Sequence, residues 1–414
     1  MKRTIVVGAG VIGLATAYSL QKRGRDVIVV DQGLPGEGAS KGNAGWITPA
    51  ISAPIPTPGL TWTSMKWMLN PDSPLYIAPS AVPGMARWLW RFWRYCNPTD
   101  FLNGLHAVAR LNRGTLAAFD RLEKDGVSFD LYRQGLLFAF TDQSYMEKVL
   151  HEFDYYRDYG YVMPEPLGAA QIRALEPALS NWVTTGFHVK EEYHVRPETL
   201  SAGYAKALAA AGVEIRTGVT VRGAVRSGDR ARGIETSAGV IEGDEILVAA
   251  GAATGHLVEH FGVKLPMQAG KGYSITIESG GPVLQRPLYL GGARIGCTPF
   301  GEGVRFAGTM ELSGINTVMD RRRIQGIRKG IAQYLAAPIG SGQGTEWVGM
   351  RPLTPDGLPM LGRVPGYQNL FVATGHAMLG ITLAPVTGNV MADLIAGTGS
   401  AVDLAPFEPG RFRW

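Results

Sequence analysis

The chain has 414 residues, 45% hydrophobic and 18% charged, with a formal net charge of +5. That length exceeds what one hydrophobic core normally serves and predicts two domains. Two cysteines, Cys96 and Cys297, make neither a disulfide framework nor a metal set and fit a reducing, cytoplasmic setting; the mild charge, without an interleaved basic and aromatic sheet, argues against nucleic acid, and no apolar run is long enough to span a bilayer.

The opening, MKRTIVVGAGVIGLATAYSL, has the basic start and apolar run of a signal peptide, yet the residues that follow exclude that reading. Residues 4–7 form a β-branched run typical of a buried parallel strand. Gly8, Gly10 and Gly13 come directly after it, residues 14–20 keep helical apolar spacing, and a second strand over 27–30 ends in Asp31. Strand, glycine turn, helix, strand and acid in that order are a dinucleotide-binding unit. The first glycine permits the turn, the second lets backbone approach a diphosphate, and the third lets helix pack on strand. The helix start offers amides and a positive dipole end to phosphate, and Asp31 accepts ribose hydroxyls.

A second glycine-rich loop, GEGASKGNAGWITP (36–49), follows where a plain NAD unit would enter another crossover helix. Ser40 and Asn43 there are candidates for phosphate or ring-edge contacts. Residues 60–97 hold five of the nine tryptophans and the stretch RWLWRFWRY. This segment has two readings: an interfacial contact with an acidic membrane, or aromatic packing over a site mouth with arginines reaching outward. Residues 103–126 predict an amphipathic helix, 136–140 a strand, 145–159 a helix stopped by Gly160, and 197–211 a helix with proline near its start and glycine after its end. GVEIRTGVTVRGAVRSG and GVIEGDEILVAAGAATG read as strands and turns completing the first sheet. HLVEH (256–260) matches a zinc-protease pattern, but a role in a glycine-turn unit fits the stretch better and no third ligand stands out, so no metal is expected.

Strands are predicted at 271–277, 283–290 and 304–310, and a basic helix at 321–336. Finally, 370–373 reads as a strand, 375–380 as a loop and 382–395 as a helix, with Pro385 tolerable in a first turn. A helix start near 379–382 suits negative charge on a reduced flavin ring. Contacts to adenosine and phosphate at the beginning, with ring contacts at the end, favour FAD over NAD.

The segments VVGAGVIGLATAYSL, GNAGWITP, GKGYS, ILVAAGA, GMRPLTPDGLPMLG and GHAMLGITLAPVTG resemble those of the FAD-dependent amino-acid oxidoreductases: D-amino-acid dehydrogenases, glycine oxidases and D-amino-acid oxidases. The likeness runs along the whole chain and is strongest to the bacterial D-amino-acid dehydrogenase branch. It implies an α/β (α+β overall) protein with a Rossmann-like FAD-binding domain (1–60, 190–262 and 345–414). The second, substrate-binding domain (61–189 and 263–344) is built on an antiparallel or mixed sheet with helices. FAD is expected to lie on Gly8, Gly10, Val11, Ile12, Gly13, Asp31 and Gln32; on Ser40, Asn43, Ala44, Gly45 and Trp46; on Val221, Ala250 and Gly251; and on Gly375, His376, Leu379, Gly380, Ile381 and Thr382.

In resembling enzymes the arginine of the G-x-R-P segment, here Arg351, clamps the substrate carboxylate, a task suited to its planar fork. Tyr273 is expected beside that carboxylate or tied elsewhere. Lys271 is expected on the opposite face, in solvent, and His376 near the ring as a bonding or structural group. Glycine oxidases place an arginine where this chain has Met378, which favours a larger apolar or cyclic substrate over glycine. The implied reaction moves a hydride from Cα of a free D-amino acid to flavin N5, giving an imine and then a 2-oxo acid, with electrons passed to a quinone. The alternative is an oxidase of amino acids or secondary amines that uses oxygen.

Overall fold

The structure is a computed structural model describing residues 2–60, 75–337, 339 and 343–412. Two sheets organise it. The first is six-stranded: Glu214–Arg216, Asp26–Val30, Arg3–Val7, Glu245–Val248, Leu370–Thr374 and Met360–Arg363, in that spatial order. Its first five strands run parallel and the last is antiparallel. Side chains alternate across such a strand, so Val6, Val29, Leu247 and Phe371 enter one core while Ile5, Val7, Ile28 and Val248 enter another. Both faces are covered, which explains why these strands read as continuous apolar runs.

Helices Val11–Lys22, Pro197–Ala210 and Gly380–Ala396 bury residues in the first core. A three-stranded antiparallel sheet, Val221–Ser227, Arg230–Thr236 and Gly239–Glu242, covers the opposite face through Ala231, Ile234 and Ile241.

The second sheet has nine strands. Its path is Thr345–Leu353, Gln268–Ile277, Gly303–Leu312, Ile295–Phe300, Leu288–Leu290, Leu136–Phe140, Thr185–Val189 and Pro166–Gly168, with Leu75–Ile77 paired to Gly303–Leu312. Helix Arg321–Tyr334 packs Ile324, Ile327 and Ile331 against it. Among the described residues no helix is long and apolar enough to cross a membrane.

Several expectations shift. The helix over 103–126 is two helices, Pro98–Leu111 and Thr115–Lys124, because Gly114 turns left-handed (φ 84°) between them. Only Leu288–Leu290 of the strand over 283–290 pairs, since Pro287 lacks an amide and the Gln285 amide donates to Glu176 instead. The helix over 145–159 is α-helical at Gln143–His151 and tightens to a 3-10 helix at Glu152–Tyr159. Two segments cross the expected domain division. Helices 98–124 bury Val108, Leu111, Phe119 and Leu122 in the core of the first sheet, and strand Thr345–Leu353 pairs along Gln268–Ile277 in the second.

Candidate active site

A cavity of about 1670 Å³ runs from the first glycine turn to the larger sheet. At one end the chain leaves strand Arg3–Val7 through Gly8, whose φ of 111° suits glycine, and a Cβ there would lie 2.5 Å from Ala249 O. At Gly13 a Cβ would fall 1.9 Å from Gly8 O, so only glycine lets helix Val11–Lys22 cross its own strand this closely. Gly10, by contrast, faces open space, with Ser40 Oγ the nearest atom to such a Cβ at 3.5 Å. The Val11 amide donates to Ser40 Oγ at 3.0 Å, and the amides of Ile12 and Gly13 precede the first intrahelical bond, Leu14 to Gly10. Asp31 accepts from the Ala9 amide through Oδ2 and from the Gly33 amide through Oδ1, both at 2.7 Å. Its carboxylate thus stiffens the turn while lining the cavity beside Gln32.

The second glycine-rich loop forms the next stretch of wall, through Ser40, Asn43, Ala44, Gly45 and Trp46. Asn43 serves the loop itself, accepting from the Gly45 amide and donating to Ala39 O. Trp46 Nε1 donates to Thr298 Oγ1, which donates in turn to Ala44 O. Two residues absent from the sequence reading hold this loop. Arg305, buried in the larger sheet, donates to Lys41 O and Asn43 O and pairs with Glu198 at 2.7 Å. Trp347 lies so close over Gly42 that a Cβ there would meet its ring at 2.2 Å. No local motif marks either residue, because the loop and these strands are some 260–300 residues apart.

The third wall comes from Val221, Ala250 and Gly251 and from His376, Leu379, Gly380 and Ile381. Gly13, Gly375 and Thr382 do not line the cavity. Thr382 Oγ1 donates to Trp46 O and accepts from the Thr48 amide, tying the C-terminal helix to the second loop. That helix begins at Gly380, so Pro385 lies inside it, beyond the first turn where it was expected. The helix there forgoes the Pro385 amide bond to Ile381.

His376 is buried, with Nε2 3.1 Å from Thr387 Oγ1 and Nδ1 without a partner among the described residues. Burial pulls its pKa from 6.5 to about 3, and that of buried His194 to about 4. Both rings are therefore neutral at pH 7. The unfolded chain takes up these protons near pH 6.5 while the native one does not, so the stability present above that pH is lost progressively as pH falls toward 4. For His194 alone the expected loss between pH 7 and pH 4 is about 3 kcal/mol. Urea unfolding of wild type and His194→Asn at both pH values checks this, and parallel pH profiles for the two would contradict it. The other histidine pair, His256 and His260, sits at an exposed helix end, with His256 beside Glu259.

The far end of the cavity is the larger sheet. Arg351 lies half-buried in its wall, with Nη1 donating to Thr309 O at 2.9 Å and more weakly to Lys271 O at 3.4 Å. No carboxylate among the described residues pairs with it, and burial alone lowers its pKa to about 10. It remains a cation at pH 7, with Nε and Nη2 making no hydrogen bond to described residues.

Tyr273 borders the same cavity, but its side chain is not brought beside this group. Strand alternation puts Tyr273 with Ile275 and Ile277 in the second core, on the face away from Gly272 and Arg351, and its hydroxyl donates to Glu311 at 2.5 Å. Lys271 is not in solvent. Residues two apart share a strand face, so Lys271 joins Tyr273 on Glu311 at 2.7 Å and also donates to Asn316 Oδ1 and Val318 O. Thus the cavity has amide donors and an acid at one end, and at the other a guanidinium with no counter-charge among the described residues.

A model of the FAD dependent oxidoreductase family matches residues 3–394. The chain belongs to this family. It is 31% identical over 424 residues to a D-amino acid dehydrogenase of Bradyrhizobium diazoefficiens, covering 99% of both chains. It is 32% identical to one of Methylobacterium nodulans, covering 97% of both. Among solved structures, glycine oxidase from Geobacillus kaustophilus superposes with a TM-score of 0.76 at 23% identity over the full length of both chains. L-proline dehydrogenase from P. horikoshii does so at 0.75 and 16%, covering 99% of this chain and 97% of the other. These likenesses show a shared fold.

FAD is the family's cofactor, and the cavity fits it. The bare Gly10 face and helix start suit a diphosphate, Asp31 suits a ribose, and the orphaned Nδ1 of His376 lies in the wall toward the other end.

Proposed function

We propose that this protein is an FAD-dependent dehydrogenase of free D-amino acids, among them apolar or proline-like ones. The observation that carries the reading is Arg351, a desolvated cation that no carboxylate among the described residues pairs with, in a cavity whose opposite end is built for a dinucleotide. A substrate carboxylate supplies that counter-charge in bidentate form. The identity to curated D-amino acid dehydrogenases over nearly the whole chain supports the substrate class.

Bound FAD supplies the two-electron acceptor for the Cα–H bond. The chain's own residues bind, orient and keep water away. Arg351 fixes the carboxylate, and Phe153 and Leu353, with the ring of Tyr289, line the wall. His376, its pKa pulled to about 3 by burial, is too weak a base to take a proton from the substrate ammonium. The amine therefore arrives unprotonated, and catalysis rests on placing Cα–H against the ring.

Electrons leave to a quinone. Helix Val82–Tyr95 supports this part of the reading: it exposes Trp90 and Trp93 with Arg87 and Arg94, and the two tryptophans line the cavity together with Leu89 and Phe92. Exposed tryptophan beside arginine suits an anionic membrane surface. The rest of the tryptophan-rich segment, 61–74, lies outside the described residues.

The test is anaerobic titration of the yellow holoenzyme with D- and L-amino acids, proline analogues and sarcosine. Bleaching by D-amino acids, reoxidation by a quinone faster than by oxygen, and co-sedimentation with anionic vesicles are expected. No bleaching by any D-amino acid overturns the substrate reading, and oxygen as the faster acceptor makes the protein an oxidase.

A further inference from the structure

The larger sheet contains a slip beside Arg351. Lys271 pairs with Glu311 and Tyr273 with Gly308, so Thr309 and Met310 together oppose Gly272. Thr309 takes a φ of 58°. A bulge with a left-handed first residue normally carries glycine there, and a β-branched residue adopts that conformation only at a cost. The Thr309 hydroxyl makes no hydrogen bond to described residues, and its side chain adds nothing polar among them to offset the strain.

What the turned backbone does is aim a carbonyl. Arg351 Nη1 donates to Thr309 O at 2.9 Å. Across the slip, a Cβ on Gly272 would lie 2.3 Å from Cζ and Nη2 of Arg351 and 2.5 Å from Nη1, so the guanidinium rests on bare backbone. Behind the bulge, Glu311 is gripped by Lys271 at 2.7 Å and by the Tyr273 hydroxyl at 2.5 Å, which pins the register on the far side of the slip. The buried pair that substrate binding does not use thus has a task.

We propose that Gly272 and the Thr309 bulge are positioning residues for Arg351, holding its Nη1 edge on the protein and leaving Nε and Nη2 for a carboxylate. This rests on the reading of Arg351 as the carboxylate clamp. A free arginine loses much rotamer freedom when it grips a ligand. Fixing it beforehand removes that loss from binding.

The probe is benzoate, a carboxylate with no Cα–H to oxidise, titrated into holoenzyme and read from the visible spectrum of bound FAD. In Gly272→Ala the new methyl displaces the flexible end of Arg351 rather than backbone, so FAD content and thermal midpoint stay near wild type. Benzoate binding weakens about tenfold or more, the loss of a charge-assisted contact, and KM for the oxidised amino acid rises with kcat held within about threefold. Deletion of Thr309, which restores the regular ladder, acts in the same direction. Thr309→Gly keeps the turn with a residue suited to it and leaves benzoate affinity within about twofold.

The proposal is overturned if Gly272→Ala binds benzoate like wild type while Arg351→Met does not. Should the deletion lose FAD, Gly272→Ala decides. Wild-type affinity in Arg351→Met overturns the clamp reading itself, and this proposal with it.

Discussion

Replacing Arg351 with methionine is expected to leave FAD bound at full stoichiometry while kcat/KM for the best amino acid falls by roughly two to four orders of magnitude. The size follows from the cost of leaving one member of a sequestered charge pair alone, about 3–5 kcal/mol, here the carboxylate of the bound substrate. The expected effect on the empty protein has the opposite sign. Arg351 has no counter-charge among the described residues, and burial already lowers its pKa to about 10. Methionine removes a desolvated cation, so thermal stability is maintained or raised. Arg351→Lys keeps the charge but not the planar fork and should fall between the two. Steady-state kinetics with a thermal melt of each holoenzyme checks the pattern; near-normal kinetics in Arg351→Met would remove the residue from substrate binding.

Arg305→Met is expected to separate cofactor retention from chemistry. Arg305 does not line the cavity, yet its guanidinium reaches Lys41 O, Asn43 O, Thr276 Oγ1 and Glu198, and lies over the Phe300 ring at 5.2 Å. Its loss strands the Glu198 carboxylate and frees two carbonyls of the loop that covers the middle of the cavity. Stability should drop by about 1–3 kcal/mol, and FAD should dissociate at least about tenfold more readily. With FAD in excess, kcat and KM should return close to wild type, since no group touching substrate has changed. Equilibrium dialysis of FAD with urea unfolding measures both halves. Unchanged FAD affinity would show that the loop holds its shape without the arginine.

The nucleotide end of the site was legible because its grammar is local. Strand 4–7, Gly8, Gly10, Gly13 and Asp31 lie within one crossover unit, and each does work set by backbone geometry: a left-handed turn at Gly8, a crossing at Gly13 too close for any Cβ. Arg351 was legible only through likeness to a family motif, since a lone arginine before a proline has no local signature of its environment. The Lys271 expectation failed on a local rule misapplied. A period of two keeps residues 271 and 273 on one face, and that face is covered by residues 313–320.

Chain order alone determined the strand–turn–helix units, the buried character of their strands and the presence of a dinucleotide site, because steric and hydrogen-bond constraints there act over a few residues. Tertiary structure alone decided which distant groups shape the rest: Arg305 and Trp347 on the second glycine loop, Thr382 on Trp46, Thr309 and Gly272 under Arg351. Those contacts join segments tens to hundreds of residues apart. Their energies depend on register and on desolvation, and neither exists until the sheets have formed.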